Sequence, residues 1–247
     1  DSETGGMTRD PINNGVVNKG TACLDPRGWP LLYVGQGIPT KNEKGNQQAY
    51  VRVYSLLTDE LIYTFGGYDY FSRREWQAYD SSPLITDDTL IYCGENGVLY
   101  SCRLNTVFDP ASGTVSISPE RLVKYRYEAS GYSRADKTGA RWYGMESSPA
   151  AFRNWIFFTD NGGRLQCVDL NDLRLQYVTD LKEECDSTPV IDESYGDSTI
   201  YIFNGTQTSS YAPELGEGYG YTYHRKINGL TGAIVWGRRG ICGRGDL

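Results

Sequence analysis

The chain has 247 residues, with 24 Lys+Arg against 31 Asp+Glu for a formal net charge of −7, and a single His, His224. That length is ample for one large core or two small ones, and 13% aromatics argue against disorder. An acidic balance without a Lys/Arg run argues against a nucleic-acid binder, one His leaves no His-based zinc cluster, and no apolar run approaches the roughly 20 residues of a membrane helix.

Within the N-terminal segment 1–18, the opening Asp1-Ser-Glu-Thr-Gly-Gly6 is polar and carries no signal-peptide pattern. From Gly20 onward, helical periodicity is hard to find and short β-type runs bounded by Gly, Asn, Asp or Pro follow one another. In chain order they include Leu31-Leu-Tyr-Val34, Leu90-Ile-Tyr-Cys93, Trp155-Ile-Phe-Phe158 and Thr199-Ile-Tyr-Ile-Phe203. Glu95-Asn-Gly97 and Asp160-Asn-Gly-Gly163 supply the positive φ that tight hairpins demand. The chain reads as all-β.

The runs repeat. Ser81-Ser-Pro83 through Tyr100 aligns with Ser147-Ser-Pro149 through Gln166, and Ser187-Thr-Pro189 opens a third copy. A weaker first copy begins at Gly20-Thr-Ala-Cys-Leu-Asp25. The closing strands also match: Tyr54 to Tyr63, Val168 to Tyr177 and Ile227 to Trp236 share one frame. The prolines at 83, 149 and 189 are 66 and 40 residues apart. Forty residues is about one four-stranded propeller blade, so the longer interval holds an insertion. Four blades are expected over 19–67, 79–127, 146–181 and 187–240, making a propeller region 19–240 with a tail at 241–247.

This pattern of Ser-Ser-Pro, apolar strand, x-Asn-Gly, Leu-Tyr and Thr231-Gly232…Trp236 resembles the repeats of the PQQ-like (quinoprotein dehydrogenase-like) β-propeller superfamily, from about Gly20 to Gly240. That group includes quinone-dependent alcohol dehydrogenases and cofactor-free propellers of outer-membrane assembly lipoproteins. The resemblance implies four-stranded antiparallel blades, about four here, as part of a larger seven- or eight-bladed ring whose further blades come from the same or another chain. In that superfamily the Thr-Gly turn and terminal Trp lock neighbouring blades. Here Asp59 and Leu173 replace the Gly, and Tyr63 and Tyr177 replace the Trp. Quinone-dependent dehydrogenases also carry adjacent cysteines. This chain has none, which argues against PQQ, and no cofactor is expected.

Two loops carry the strongest positional signal. Trp76-Gln-Ala-Tyr-Asp80 and Trp142-Tyr-Gly-Met-Glu146 each place a Trp seven residues, and an acid three residues, before the Pro; the next blade keeps the acid as Asp186. Residues that begin the innermost strand surround a propeller's central channel. Asp80, Glu146 and Asp186 are therefore expected to form an acidic arc able to hold Ca²⁺ or meet a cationic ligand. The plainer reading gives an acid with Ser/Thr beside Pro to turns and blade junctions, binding backbone N–H groups.

The same loops are rich in rings and guanidiniums: Tyr68, Tyr70, Phe71, Arg73, Arg74, Trp76 and Tyr79, then Tyr132, Arg134, Arg141, Trp142 and Tyr143. Rings beside Arg suit a protein partner or a glycan, or else they pack the loops onto the blades. A Tyr/Gly-rich loop at 211–223 has the same character. His224 has no Ser or Asp assignable to it by spacing, so no catalytic residue is named.

Six scattered cysteines contain no CxxC pair, which excludes metal-ligand spacing. An even count in a Tyr-rich, Lys-poor chain hints at an oxidising, extracytoplasmic compartment, whereas the other reading makes them small buried hydrophobes. The sequence thus points to a non-catalytic binding propeller, with a portion of a quinoprotein-type oxidoreductase as the competing reading.

Overall fold

A computed structural model describes residues 12, 15–128, 139–182, 184–195, 200–206 and 219–243. Tyr132, Arg134, segment 211–218 and the tail from 244 lie outside the described residues. Among the described residues the chain forms four antiparallel sheets in succession, plus one small hairpin. The first sheet runs β1 (Cys23–Leu24), β2 (Leu31–Gly35), β4 (Gln47–Ser55), β5 (Leu61–Gly67), with β3 (Thr40–Lys41) paired on the start of β4. The second holds β6 (Leu84–Thr86), β7 (Thr89–Cys93), β8 (Leu99–Arg103) and β11 (Glu120–Tyr125) in that spatial order. The hairpin β9 (Val107–Asp109) and β10 (Thr114–Ser116) interrupts it and accounts for part of the 66-residue repeat interval. The third sheet is β12 (Ala150–Phe152), β13 (Trp155–Thr159), β14 (Arg164–Asp169) and β15 (Leu175–Asp180). The fourth is β16 (Val190–Asp192), β17 (Tyr201–Thr206), β18 (Tyr219–Asn228) and β19 (Ile234–Gly243).

The sheets stack face to face, and each stacking plane is a separate hydrophobic core. Tyr33, Val51, Val53 and Phe65 of the first sheet meet Leu90, Tyr92, Tyr100 and Cys102 of the second. Ile91, Cys93 and Leu99 turn the other way, onto Ile156, Phe158 and Val168. Phe157, Leu165 and Cys167 then face Ile200, Ile202 and Ile227. Successive side chains on a strand point to opposite faces. The middle strands therefore need apolar residues at every position, and the unbroken runs Leu90–Cys93 and Ile156–Phe158 are buried on both sides. None of the five described cysteine thiols is in a disulfide, and Cys93, Cys102, Cys167 and Cys185 sit in these cores as small hydrophobes.

Side-chain and turn contacts tie neighbouring sheets together. Gly232, at φ +75°, lies against Tyr177, whose hydroxyl donates to Gly229 O at 2.7 Å, and Thr179 Oγ1 donates to Gly232 O at 2.6 Å. Tyr177 thus performs the docking expected of a Trp. Where Gly is missing from the equivalent turns, Asp59 (φ 63°) and Leu173 (φ 52°) adopt the same left-handed backbone. No helix among the described residues is long and apolar enough to cross a membrane.

Candidate functional site

One end of the stack is built by a repeating backbone clamp. Tyr79 N donates to Gln36 O and Glu95 N to Ala78 O, both at 2.9 Å, so the linker before β6 is held between the hairpins of the first two sheets. Sixty-six residues later the arrangement recurs: Met145 N donates to Gly94 O and Asn161 N to Gly144 O. The Ser-Ser-Pro segments complete it. Ser81 Oγ and Ser147 Oγ donate to Cys93 O and Thr159 O, and Ser82 N donates to Ser148 Oγ across sheets at 2.8 Å. These serines are structural, whereas the acids that precede them converge.

Asp80, Glu95 and Glu146 form one group of carboxylates and Glu146, Glu184 and Asp186 another; within each group, one oxygen per residue lies within 4.8 Å of the others. The three acids picked out by the repeat are therefore brought together, joined by two the repeat did not reveal. Asp80 Oδ2 accepts from Lys19 Nζ at 2.9 Å. Glu95 accepts from Arg74 Nη1 at 2.6 Å and from the Trp76 indole N–H at 3.0 Å. Glu146 Oε1 accepts from Asn161 Nδ2 at 2.8 Å. Burial, then the neighbouring Glu146, Glu184 and Asp80 charges, push the Asp186 carboxyl up to about 7. Burial and the Glu146 charge likewise hold Glu95 well above the ordinary range, against the pull of Arg74.

The aromatic residues divide. Tyr79 is 1% exposed, its ring edge-on to Tyr92 in the first core. Tyr143 is buried, with the Arg73 and Arg164 guanidiniums 5.0 and 4.4 Å from its ring centre. Neither ring is presented to a ligand. Trp76 is half-buried, bound to Glu95. Trp142 closes a 3₁₀ turn (Ala140–Tyr143) with the exposed Arg141 stacked 4.3 Å above it. Tyr70, at 81% exposed, stands edge-on to Tyr68, and Phe71 carries the Arg126 guanidinium 4.4 Å away. Tyr68 and Tyr70 also line a shallow cleft of about 590 Å³ with Lys41, Glu43 and Gln48. His224 is exposed on β18.

Sequence reasoning missed Glu95, Glu184, Asn161 and Arg164. Glu95 and Asn161 occupy equivalent places in the hairpins after β7 and β13 and were legible only as turn residues. The repeat offset of 66 pairs them and was the available signal.

No family model and no curated protein sequence matches the chain. Solved structures that it is similar to include hydrazine synthase from Kuenenia stuttgartiensis (TM-score 0.50, 10% identity, 90% of this chain and 49% of that one). BamB from Moraxella catarrhalis (0.46, 12%, 92% and 63%) and the computationally designed Ika4 protein (0.43, 9%, 78% and 88%) are others. With the hydrazine synthase likeness and the stack of one five-stranded and three four-stranded antiparallel sheets, the fold follows. It is that of a β-propeller. The chain spans about half to two-thirds of the length of the two natural proteins, and likeness at this identity speaks to fold alone.

Proposed function

We propose that the chain is a non-catalytic, PQQ-like propeller module that binds a protein partner through the end of the stack where the blades' innermost strands begin. The observation supporting this reading is that the repeated linkers carry the half-buried Trp76 and Trp142 close in sequence to Asp80 and Glu146 of the acidic cluster, with the Trp76 indole bonded to Glu95 of that cluster. Rings with partly free faces beside carboxylates suit Lys and Arg side chains, which gain both ring and charge contacts. The partner's matching surface is therefore basic. A second reading, glycan binding, rests on the Tyr68/Tyr70 cleft, where two rings and several polar side chains suit a sugar. Location outside the cytoplasm is part of the proposal and rests on composition, since Cys93, Cys102, Cys167 and Cys185 are accounted for as core residues.

Arrays of basic peptides and of glycans, probed with the purified chain, test this directly. Trp142→Ala and Trp76→Ala should each reduce peptide signal about tenfold or more while the melting temperature stays within a few degrees. Unchanged capture in both variants would remove these loops from the account. Signal confined to glycans, lost in Tyr70→Ala, would favour the second reading. The quinoprotein alternative requires a thermal shift with PQQ plus Ca²⁺ beyond that with Ca²⁺ alone, and dye-linked alcohol oxidation.

A further inference from the structure

We propose that the outer faces of the first and fourth sheets bind each other between two copies of this chain, closing one ring from two stacks. Among the described residues each hydrophobic core lies between successive sheets, and none joins the fourth sheet to the first. Both end sheets nevertheless carry apolar side chains on the face turned away from the stack. Tyr33 and Val53 point into the first core, so their neighbours Leu32 and Tyr54 lie on the opposite face. Strand register lines those two up with Leu24 and Leu61 in one row across β1, β2, β4 and β5. Ile202 and Ile227 point towards the third sheet, which puts Phe203 and Lys226 on the outer face, in a row with Val190 and Trp236. Leu24 and Val190 are each 61% exposed.

Exposed apolar faces alone would not name their occupant. The lock between the third and fourth sheets does. There Tyr177, near the end of one closing strand, docks on the turn 229–232 of the next sheet. The repeat gives Tyr177 an equivalent in Trp236 of the fourth sheet, which is 40% exposed. It gives the 229–232 turn an equivalent at 56–59 in the first sheet, where Leu57 is 49% exposed. One half of the same lock is thus presented at each end of the stack, and each half fits the opposite end of a second copy. Asp59 in place of Gly232 does not bar this, since Leu173 in the same left-handed turn packs on the core between the second and third sheets. The one charge in the two rows, Lys226, has its ammonium 3.5 and 3.7 Å from the Tyr195 and Tyr201 ring centres, so it is held on the face by rings.

The contact is head to tail, because each junction pairs a fourth sheet with a first sheet. Such contacts end in a ring only where the rotation closes, and otherwise run on as a filament. Propellers close with about four to eight blades, so two copies of this stack reach the upper limit and a third copy would pass it. Two copies is therefore the count that covers all four end faces. The inference does not depend on partner capture, which involves the linkers at one end of the stack and is read separately.

Sedimentation equilibrium of the purified chain in the micromolar range should give twice the chain mass. Val190→Asp on the fourth sheet and Leu61→Asp on the first replace exposed side chains, and each variant alone should be a monomer with the parent's circular dichroism. Mixed in equal amounts, the two variants should form dimers again, because one junction of the mixed pair then joins two unaltered faces. With the other junction lost, those dimers should appear at concentrations about 100-fold above those the parent needs. Recovery on mixing also shows that both variants are folded. A parent chain that stays monomeric would overturn the proposal and leave the faces to further blades or to a different protein. Assemblies of more than two copies, a dimer that survives either single variant, or no recovery on mixing would overturn it as well.

Discussion

Asp186 and Glu95 sit where burial and like charge make ionisation unfavourable, so they retain protons in the folded chain that they would release when unfolded. The sign of the stability effect follows. Between the ordinary carboxyl value of 3.8 and about 7 the folded state binds more protons at Asp186, so stability falls as pH rises through that window. Glu95 adds a loss of the same sign above its ordinary 4.5. The urea midpoint should drop steadily from pH 4 to 7, and Asp186→Asn should flatten the drop. A midpoint that rises over that range in the parent chain would contradict the placement of these carboxylates. At this scale the sequence was partly legible. An acid three residues before each Pro repeats, so Asp80, Glu146 and Asp186 could be found together. Tyr79 and Tyr143 could not be told from surface rings, because their burial depends on clamps between hairpins distant in sequence.

Besides the hydrophobic cores between sheets, a few side chains at the ends of strands lock neighbouring blades. Tyr177→Phe removes the hydrogen bond to Gly229 O and should cost about 1 kcal/mol. Gly232→Ala should cost more, about 2 kcal/mol or above. Its backbone is left-handed, and an added Cβ would lie 2.5 Å from the Tyr177 ring. Chemical denaturation of both variants checks the order, and a Gly232→Ala effect below that of Tyr177→Phe would contradict the docking described. Strand positions were largely readable, since Asn-Gly hairpins and unbroken apolar runs mark blades with both faces buried. The docking was not: the Gly and the Trp are replaced in the earlier repeats, yet Asp59 and Leu173 take the left-handed turn and Tyr177 takes the Trp's place.

The two ends of the blade stack differ in character. One end gathers the linkers with Trp76 and Trp142, the hairpins after β7 and β13, and the acidic cluster. At the other end, the β6–β7 and β12–β13 turns border a groove of about 1110 Å³ between the second and third sheets, with Arg103, Arg121 and Arg153 as well as Asp87, Glu120 and Asp172 in its walls. Partner binding belongs, in our proposal, to the first end. That assignment followed from where the repeat places Trp76 and Trp142, while the opposite groove was not visible in any single motif. Amide hydrogen exchange of the chain, free and saturated with the tightest basic peptide from the array, tests it most directly. Protection should appear at residues 69–80, 94–98, 139–148 and 184–188. Protection confined to residues 86–89, 120–124, 153–154 and 170–173 would place binding at the other end and contradict the account.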